Sequence, residues 1–253
     1  MKNKVIISTR PAESGADKLT TNLKELGAVY YEFPMIEIHE NELSENEIKI
    51  LKNSSEFDWI IFTSKNGVEY FFDALKKYDT HQNYKSVKFA VIGKSTAKYL
   101  QRFGYFTSYI NTGNTSKRFA SDLRNIIKKG EKVLFSLGNL ANDYLPEQVA
   151  VFAEIDRINI YKTVLPNKID ENISKLVKEN KYDLVLFTSP SGFENFIGLF
   201  PELQPEKLKA ACIGDTTKQA LIDKNFNPVI TSASPDAEAL TIAISEYFKN
   251  TTV

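Results

Sequence analysis

The sequence predicts an α/β protein made of two parallel-sheet domains, and three observations lead there. Short β-rich apolar runs alternate with helical segments along the whole chain. Several of these runs end in Gly/Ser/Thr turns that open helices. The order of features also repeats: FDWIIFTSKNGVEYF at 57–71 has its counterpart in YDLVLFTSPSGFENF at 182–196.

Val5 to Ser8 is a buried strand by its continuous apolar run. Thr9-Arg10-Pro11 breaks it, and a helix follows from Pro11, with Leu19, Leu23 and Leu26 at helical spacing up to Gly27. Ala28 to Phe33 is a second strand, and Pro34 to Ile38 an extended connector. Leu43 to Leu51 is a helix. Asp58 to Phe62 is a strand that enters the first FTS turn and then a helix to about Lys77. Phe89 to Ile92 is a strand running into Gly93-Lys94-Ser95-Thr96 and a helix to Phe103, capped by Gly104. Strands at Thr107–Ile110, Lys132–Ser136 and Glu154–Tyr161 alternate with helices at Ser116–Lys129 and Asn142–Ala150. Lys162 to Pro166 is a second connector. After it come a helix at Ile169–Glu179, a strand at Leu184–Phe187, the second FTS turn and a helix at Phe193–Phe200. Ala210 to Ile213 is a strand entering Gly214-Asp215-Thr216-Thr217 and a helix to Lys224. Pro228 to Thr231 is the last strand. The closing helix, Ala237 to Phe248, is expected to be capped from Ser234 with Pro235 at its first position.

The repeat extends beyond the FTS turns. FAVIGKSTAKYL matches AACIGDTTKQAL, and TGNTSKRFASDL matches TSASPDAEALTIA. KVIISTRPAESGADKL, a helix and AVYYEF match KVLFSLGNLANDYL, a helix and AEIDRINIY. This pattern is that of a duplicated Rossmann- or flavodoxin-like domain, whose ligands sit beyond the carboxyl ends of the strands. Both FTS turns and both Gly-x-[ST]-Thr turns fall at such ends. With two similar sites, a cleft between two domains is the natural ligand position.

Lys+Arg and Asp+Glu are both 32, so the chain is neutral overall, which argues against nucleic acid or an anionic membrane as partner. Cys212 is the only cysteine, flanked by apolar neighbours, and reads as a small buried residue. His39 and His81 have no metal-ligand spacing, so no metal site is expected. MKNKVIISTRP has too short an apolar run for a signal peptide, and no run reaches membrane-spanning length, so a cytoplasmic protein is expected. Gly93-Lys94-Ser95 resembles the tail of a phosphate loop, but the earlier glycine that motif needs would be at position 88, which is Lys88. No G-x-G-x-x-G or G-x-S-x-G is present, so Ser64, Ser189 and Ser191 read as hydrogen-bond donors rather than nucleophiles.

A strand that runs into a Ser/Thr/Gly turn and a helix offers unpaired backbone N–H groups, hydroxyl donors and the positive end of the helix dipole. One such turn alone is more often only a helix cap. Two copies suggest a ligand with acidic groups at both ends, or a duplicated fold with one live site. Arg10, after the first strand, is either an ordinary surface arginine or a carboxylate clamp. Tyr161, at the end of a strand, is by spacing alone a packed strand aromatic.

Seven motifs follow one another along the chain: Ser8 to Pro11 (STRP), FTS-x-N-G-V at 62–68, A-V-I-G-x-x-T-A at 90–97, Y-x-T at 161–163, FTSPSG at 187–192, I-G-x-T-T at 213–217 and S-x-S-P-x-x-x-A-L at 232–240. In this series, in order and over essentially the full length, the chain resembles the uroporphyrinogen-III synthase family. The resemblance implies two domains that exchange segments across a two-stranded connector. The first would hold residues 1–33 and 166–253, the second 35–164, with connectors at about 34–38 and 161–166. It implies dehydration and cyclisation of linear hydroxymethylbilane with inversion of its last ring, by a monomer that needs no metal or organic cofactor. It implies Tyr161 as the acid that helps the hydroxyl group leave. Arg10, Thr63, Ser64, Asn66, Gly67, Thr96, Ser189, Ser191, Gly192, Thr216 and Thr217 would bind the substrate, a linear tetrapyrrole with eight carboxylates. The competing reading is a non-catalytic two-domain binder of an acidic small molecule on the same fold.

Overall fold

The computed structural model of the protein describes residues 1–11, 18–80, 83–113 and 116–251. In chain order the elements are β1 (Val5–Ser8), α1 (Lys18–Glu25), β2 (Val29–Glu32), β3 (Glu37–Glu40), α2 (Glu45–Lys52), β4 (Trp59–Phe62), α3 (Lys65–Lys77), β5 (Lys88–Ile92), α4 (Lys94–Gln101) and β6 (Tyr109–Asn111). They continue as α5 (Ser116–Ile126), β7 (Lys132–Gly138), α6 (Tyr144–Ala150), β8 (Glu154–Val164), α7 (Glu171–Lys178), β9 (Leu184–Phe187), α8 (Pro190–Leu199), β10 (Ala210–Cys212), α9 (Asp215–Ile222), β11 (Ile230–Thr231) and α10 (Ala237–Asn250). The predicted helix start after Pro11 runs into residues 12–17, which lie outside the described residues, as does His81.

The chain folds as two units, Met1–Glu37 with Val164–Val253, and Ile38–Thr163. The first unit has a five-stranded sheet in the order β2-β1-β9-β10-β11, and every pair in it is parallel. The second has six strands in the order β6-β5-β4-β7-β8-β3, parallel from β6 to β8. The sequence repeat matches β1 with β7, β2 with β8, β9 with β4, β10 with β5, and β11 with β6. Numbered that way, both sheets read 2-1-3-4-5, the flavodoxin-like order. The second unit is the same fold entered at a different point of the chain, with β3 added beside β8.

The alternation of side chains across each strand gives every sheet two buried faces. In the first unit Ile7, Val185 and Phe187 pack under α7, α8 and α9, while Ile6, Leu184 and Leu186 pack under α1 and α10. In the second, Ile60, Phe62 and Leu134 pack under α2, α3 and α4, while Trp59, Ile61 and Phe135 pack under α5 and α6. Strands covered on both faces are uninterrupted apolar runs, as WIIF and LVLF are.

One polar anchor lies at the amino end of the second sheet. The Glu131 carboxylate accepts from the Trp59 indole N–H (2.9 Å), the Lys88 ammonium (2.9 Å) and the Lys128 backbone N–H (2.7 Å). Burial pushes its pKa up, but the Lys128 N–H, Lys88 and Trp59 together outweigh burial and hold it below the usual value. A depressed carboxyl pKa adds stability that is complete above the unfolded value and is lost as pH falls through the folded one. Glu131→Gln is therefore expected to cost about 1–2 kcal/mol at neutral pH, with the gap from wild type closing below about pH 4. Urea unfolding of both proteins between pH 7 and pH 3 measures this, and a pH-independent gap would refute it.

The structure differs from the sequence expectations at several element ends. Helix α8 begins at Pro190 rather than Phe193, because Ser189 is its N-cap and Pro190 fills the first position. Helix α10 is capped by Asp236, whose carboxylate accepts from the Ala239 N–H (2.9 Å), not from Ser234. Ser232 Oγ donates to the Ser234 carbonyl (2.7 Å) and Ser234 Oγ bonds Asp236, so Ser234 and Pro235 belong to the turn before the cap. Strand β8 runs on to Val164 through the expected connector, and β3 lies beside it at the sheet edge. Strand β11 is only two residues long. Cys212 is buried, as expected, and burial pushes its thiol up to about 12.

Candidate active site

In a 2-1-3-4-5 sheet the strand order reverses between strands 1 and 3, and the crevice beyond their carboxyl ends is the usual ligand position. Both FTS turns stand at that reversal. In the second unit Thr63, Ser64, Asn66 and Gly67 follow β4, beside the end of β7. In the first unit Ser189, Ser191 and Gly192 follow β9, beside Thr9 and Arg10 at the end of β1.

The two turns are built alike. Ser64 caps α3, its Oγ accepting from the Gly67 N–H (3.0 Å); Ser189 caps α8, accepting from the Gly192 N–H (3.1 Å). Each cap uses a lone pair and leaves the hydroxyl hydrogen to donate. Ser189 Oγ also lies 3.3 Å from Ser191 Oγ. Both glycines permit a close approach. A Cβ on Gly67 would lie 2.9 Å from the Ser136 carbonyl oxygen; one on Gly192 would lie 3.4 Å from Thr9 Oγ1. Ser136 Oγ in turn donates to the Gly67 carbonyl (3.1 Å), and Thr9 Oγ1 to the Leu186 carbonyl (2.8 Å).

Because the Ser136 carbonyl belongs to a central strand, it cannot move away from a side chain at position 67. Gly67→Ala is expected to lose about 1–3 kcal/mol of unfolding free energy. Thermal or urea midpoints read this directly, and a loss below about 0.5 kcal/mol would mean that α3 shifts freely.

The second pair of turns opens α4 and α9. Neither helix has a side-chain cap, so the first-turn N–H groups face outward without one. Thr96 and Thr217 are only 3% exposed. Each lies four residues before a buried leucine, Leu100 or Leu221, so most of its side chain is on the inner helix face. Thr216 is exposed. The turns differ in charge: α4 carries Lys94 where α9 carries Asp215, both exposed.

Tyr161 does not end its strand; it sits within β8, and its phenol oxygen is 3.2 Å from Ser64 Oγ. Its ring stacks on that of Tyr70, with centroids 5.9 Å apart. Tyr70 donates its hydroxyl to the Ile38 carbonyl (2.9 Å). Burial, then the nearby Glu69, Asp73 and Glu40 carboxylates, raise its pKa, so Tyr70 stays protonated. The structure thus brings Tyr161 and Ser64 together across 97 positions. Tyr70, Gly138 and Ser136 join them without having been read as site residues. The repeat itself aligned Ser136 with Ser8 and Gly138 with Arg10, which was the available signal. Among the described residues no three His, Cys, Asp or Glu side chains form a metal-binding group, and no helix is long and apolar enough to cross a membrane.

A family model described as uroporphyrinogen-III synthase HemD matches residues 17–242. A porphyrin biosynthesis protein HemD from Ruminiclostridium josui is 29% identical over 231 residues. The match covers 90% of this chain but 46% of that protein, so the chain spans about half its length. A uroporphyrinogen-III synthase from Chlorobaculum parvum is 26% identical over 251 residues, covering 97% of this chain and all of that one. A crystal structure of a mutant uroporphyrinogen III synthase from Thermus thermophilus shares the fold, with a TM-score of 0.67 at 15% identity, over 98% of this chain and 99% of that one.

Proposed function

Because the chain belongs to the uroporphyrinogen-III synthase family, we propose that it converts linear hydroxymethylbilane into uroporphyrinogen III, closing the ring with inversion of the last pyrrole. The match over residues 17–242 carries this reading. The site chemistry supports it. The substrate bears eight carboxylates, and the turns after β4 and β9 offer hydroxyl donors beside helix N-termini without a large net charge.

Thr63, Ser64, Asn66 and Gly67 in one unit, and Arg10, Ser189, Ser191, Gly192 and Thr216 in the other, bind carboxylates. Thr96 and Thr217 join them with their hydroxyls. Of the two uncapped turns, the Lys94 turn adds a charge that suits a carboxylate, whereas on the other turn Thr216 donates beside the Asp215 carboxylate, which weakens that contact.

Tyr161 acts as the acid. Its phenol O–H gives a proton to the departing hydroxyl, the C–O bond breaks, water leaves, and the pyrrole nitrogen lone pair delocalises onto the new cationic azafulvene. Attack by the substituted carbon of the last ring gives a spiro intermediate. The bond from that carbon to its original bridging methylene then breaks, giving a second azafulvene, which the free α-carbon of the same ring attacks, so the ring is inverted. That carbon loses its hydrogen as a proton when the pyrrole rearomatises, and the phenolate recovers it. The net change is loss of one water. Unassisted closure gives the unrearranged isomer, so the protein contributes chiefly by positioning and by excluding the competing attack. It works as a cytoplasmic monomer, and its balanced charge gives it no general attraction to nucleic acid or membrane.

The test is an isomer assay on freshly made hydroxymethylbilane, with the products oxidised and separated. Type III porphyrin in proportion to added protein is the expected result. Type I alone, with hydroxymethylbilane still bound, would replace the enzyme by a binder.

A further inference from the structure

Resting on that reading, we infer that Gly138 is a positioning residue for Tyr161, acting with the ring of Tyr70. Gly138 pairs with Tyr161 across the β7–β8 ladder, next to a register irregularity between Leu137 and Gly138. A Cβ at position 138 would fall well inside contact distance of Cε2 and Cζ of Tyr161, and 2.8 Å from its hydroxyl oxygen. The tyrosine ring thus lies over the glycine, in the space that any other side chain would take. Tyr70 stacks on the ring at 5.9 Å and 28°, and is itself tethered through its hydroxyl to the Ile38 carbonyl.

The backbone is held as firmly. The Tyr161 carbonyl accepts from the Asn139 N–H (3.0 Å), and the Asn139 side chain accepts from the Thr163 N–H (2.9 Å). Arg157 spans the same turn, donating to the Ala141 carbonyl (2.9 Å). Ring and strand are therefore fixed together, and the phenol oxygen is held 3.2 Å from Ser64 Oγ. Ser64 Oγ already accepts from the Gly67 N–H; when its own hydrogen turns to a substrate carboxylate, the phenolic proton is free for the departing hydroxyl. An alanine at 138 turns the ring out of this seat and away from Ser64 Oγ, while Ser64 keeps its place through the bond from the Gly67 N–H.

The experiment compares Gly138→Ala, Tyr161→Phe and the double variant in the isomer assay. Gly138→Ala is expected to lower kcat for type III by about the same factor as Tyr161→Phe, roughly 10- to 100-fold, with KM within about twofold. The double variant is expected to be no slower than the slower single one, because Gly138 acts only through the phenol. If Gly138→Ala does not fold by circular dichroism, Tyr70→Leu replaces it and carries the same expectation. Wild-type kcat in the positioning variant, or losses that multiply on the Tyr161→Phe background, would overturn the inference. So would a Tyr161→Phe protein as fast as wild type, whereas a wild-type protein that forms no type III withdraws the enzyme reading beneath it.

Discussion

Tyr161→Phe is expected to slow formation of the type III isomer by about 10- to 100-fold, or about 1.4–2.7 kcal/mol of transition-state free energy. The variant is a clean one for structural reasons. The ring remains between Tyr70 and Gly138, and the strand remains pinned through Asn139, so only the hydroxyl is lost. Ser64 keeps its bond from Gly67 and so keeps its conformation. The loss should therefore fall on kcat, with KM nearly unchanged, since no carboxylate-binding donor is removed. A phenol is a modest acid, which bounds the effect from above; most of the catalysis must come from positioning. An unchanged rate would take Tyr161 off the reaction path. A raised KM with unchanged kcat would make it a binding residue.

The largest stability effects should come from the two phenylalanines of the repeated FTS. Phe62 and Phe187 have no exposed surface. Phe62 touches Phe71 edge-on at 5.4 Å and stacks on Phe89 at 6.1 Å; Phe187 meets Phe193 at 5.4 Å and Phe196 at 5.3 Å, both edge-on. Replacing either by alanine removes a buried ring and leaves a void that rigid strands cannot close, at about 3–5 kcal/mol. That is a large part of the roughly 5–15 kcal/mol that holds a domain together. Phe62→Ala is expected to raise amide hydrogen exchange throughout β4, β5 and β7, and Phe187→Ala throughout β1, β9 and β10. A loss under about 1 kcal/mol would mean that neighbouring rings refill the space.

The buried strands were legible because their sequence has no other use. VIIS and LVLF are bounded in the structure where their apolar runs begin and end. The repeat was legible too, and it anticipated the correspondence of strands that the two sheets display. The ends of helices and edge strands were less so. Ser-Pro-Ser-Gly reads as a turn, yet proline is at home in a first helical turn, so α8 starts three residues early. Lys162-Thr163-Val164 looks like a linker until β3 lies beside it. Within the site, hydroxyl-bearing turns could be found by their repetition, but not how far each side chain is covered; Thr96 and Thr217 are almost wholly buried. Gly138 and Tyr70 had no local signal at all. Their meeting with Tyr161 depends on strand pairing, a local irregularity and a helix facing the sheet.

The placement of β1 sets the order in which the molecule can be made. It is a central strand, yet its partners come from opposite ends of the chain: Ile6 pairs with Tyr30 on one side and with Leu184 on the other. At ribosomal rates of about 5–20 residues per second, the second partner emerges roughly 10–40 s after the first strand. By then all of Ile38–Thr163 has emerged and can close its own core. A lone two-stranded ribbon is marginal in water. Strand β1 therefore waits, apolar and unsheltered, while the inserted unit matures, and its sheet closes only when β9 and the strands after it arrive. A nascent chain halted before residue 184 should show a protease-resistant inserted unit and a digestible amino terminus.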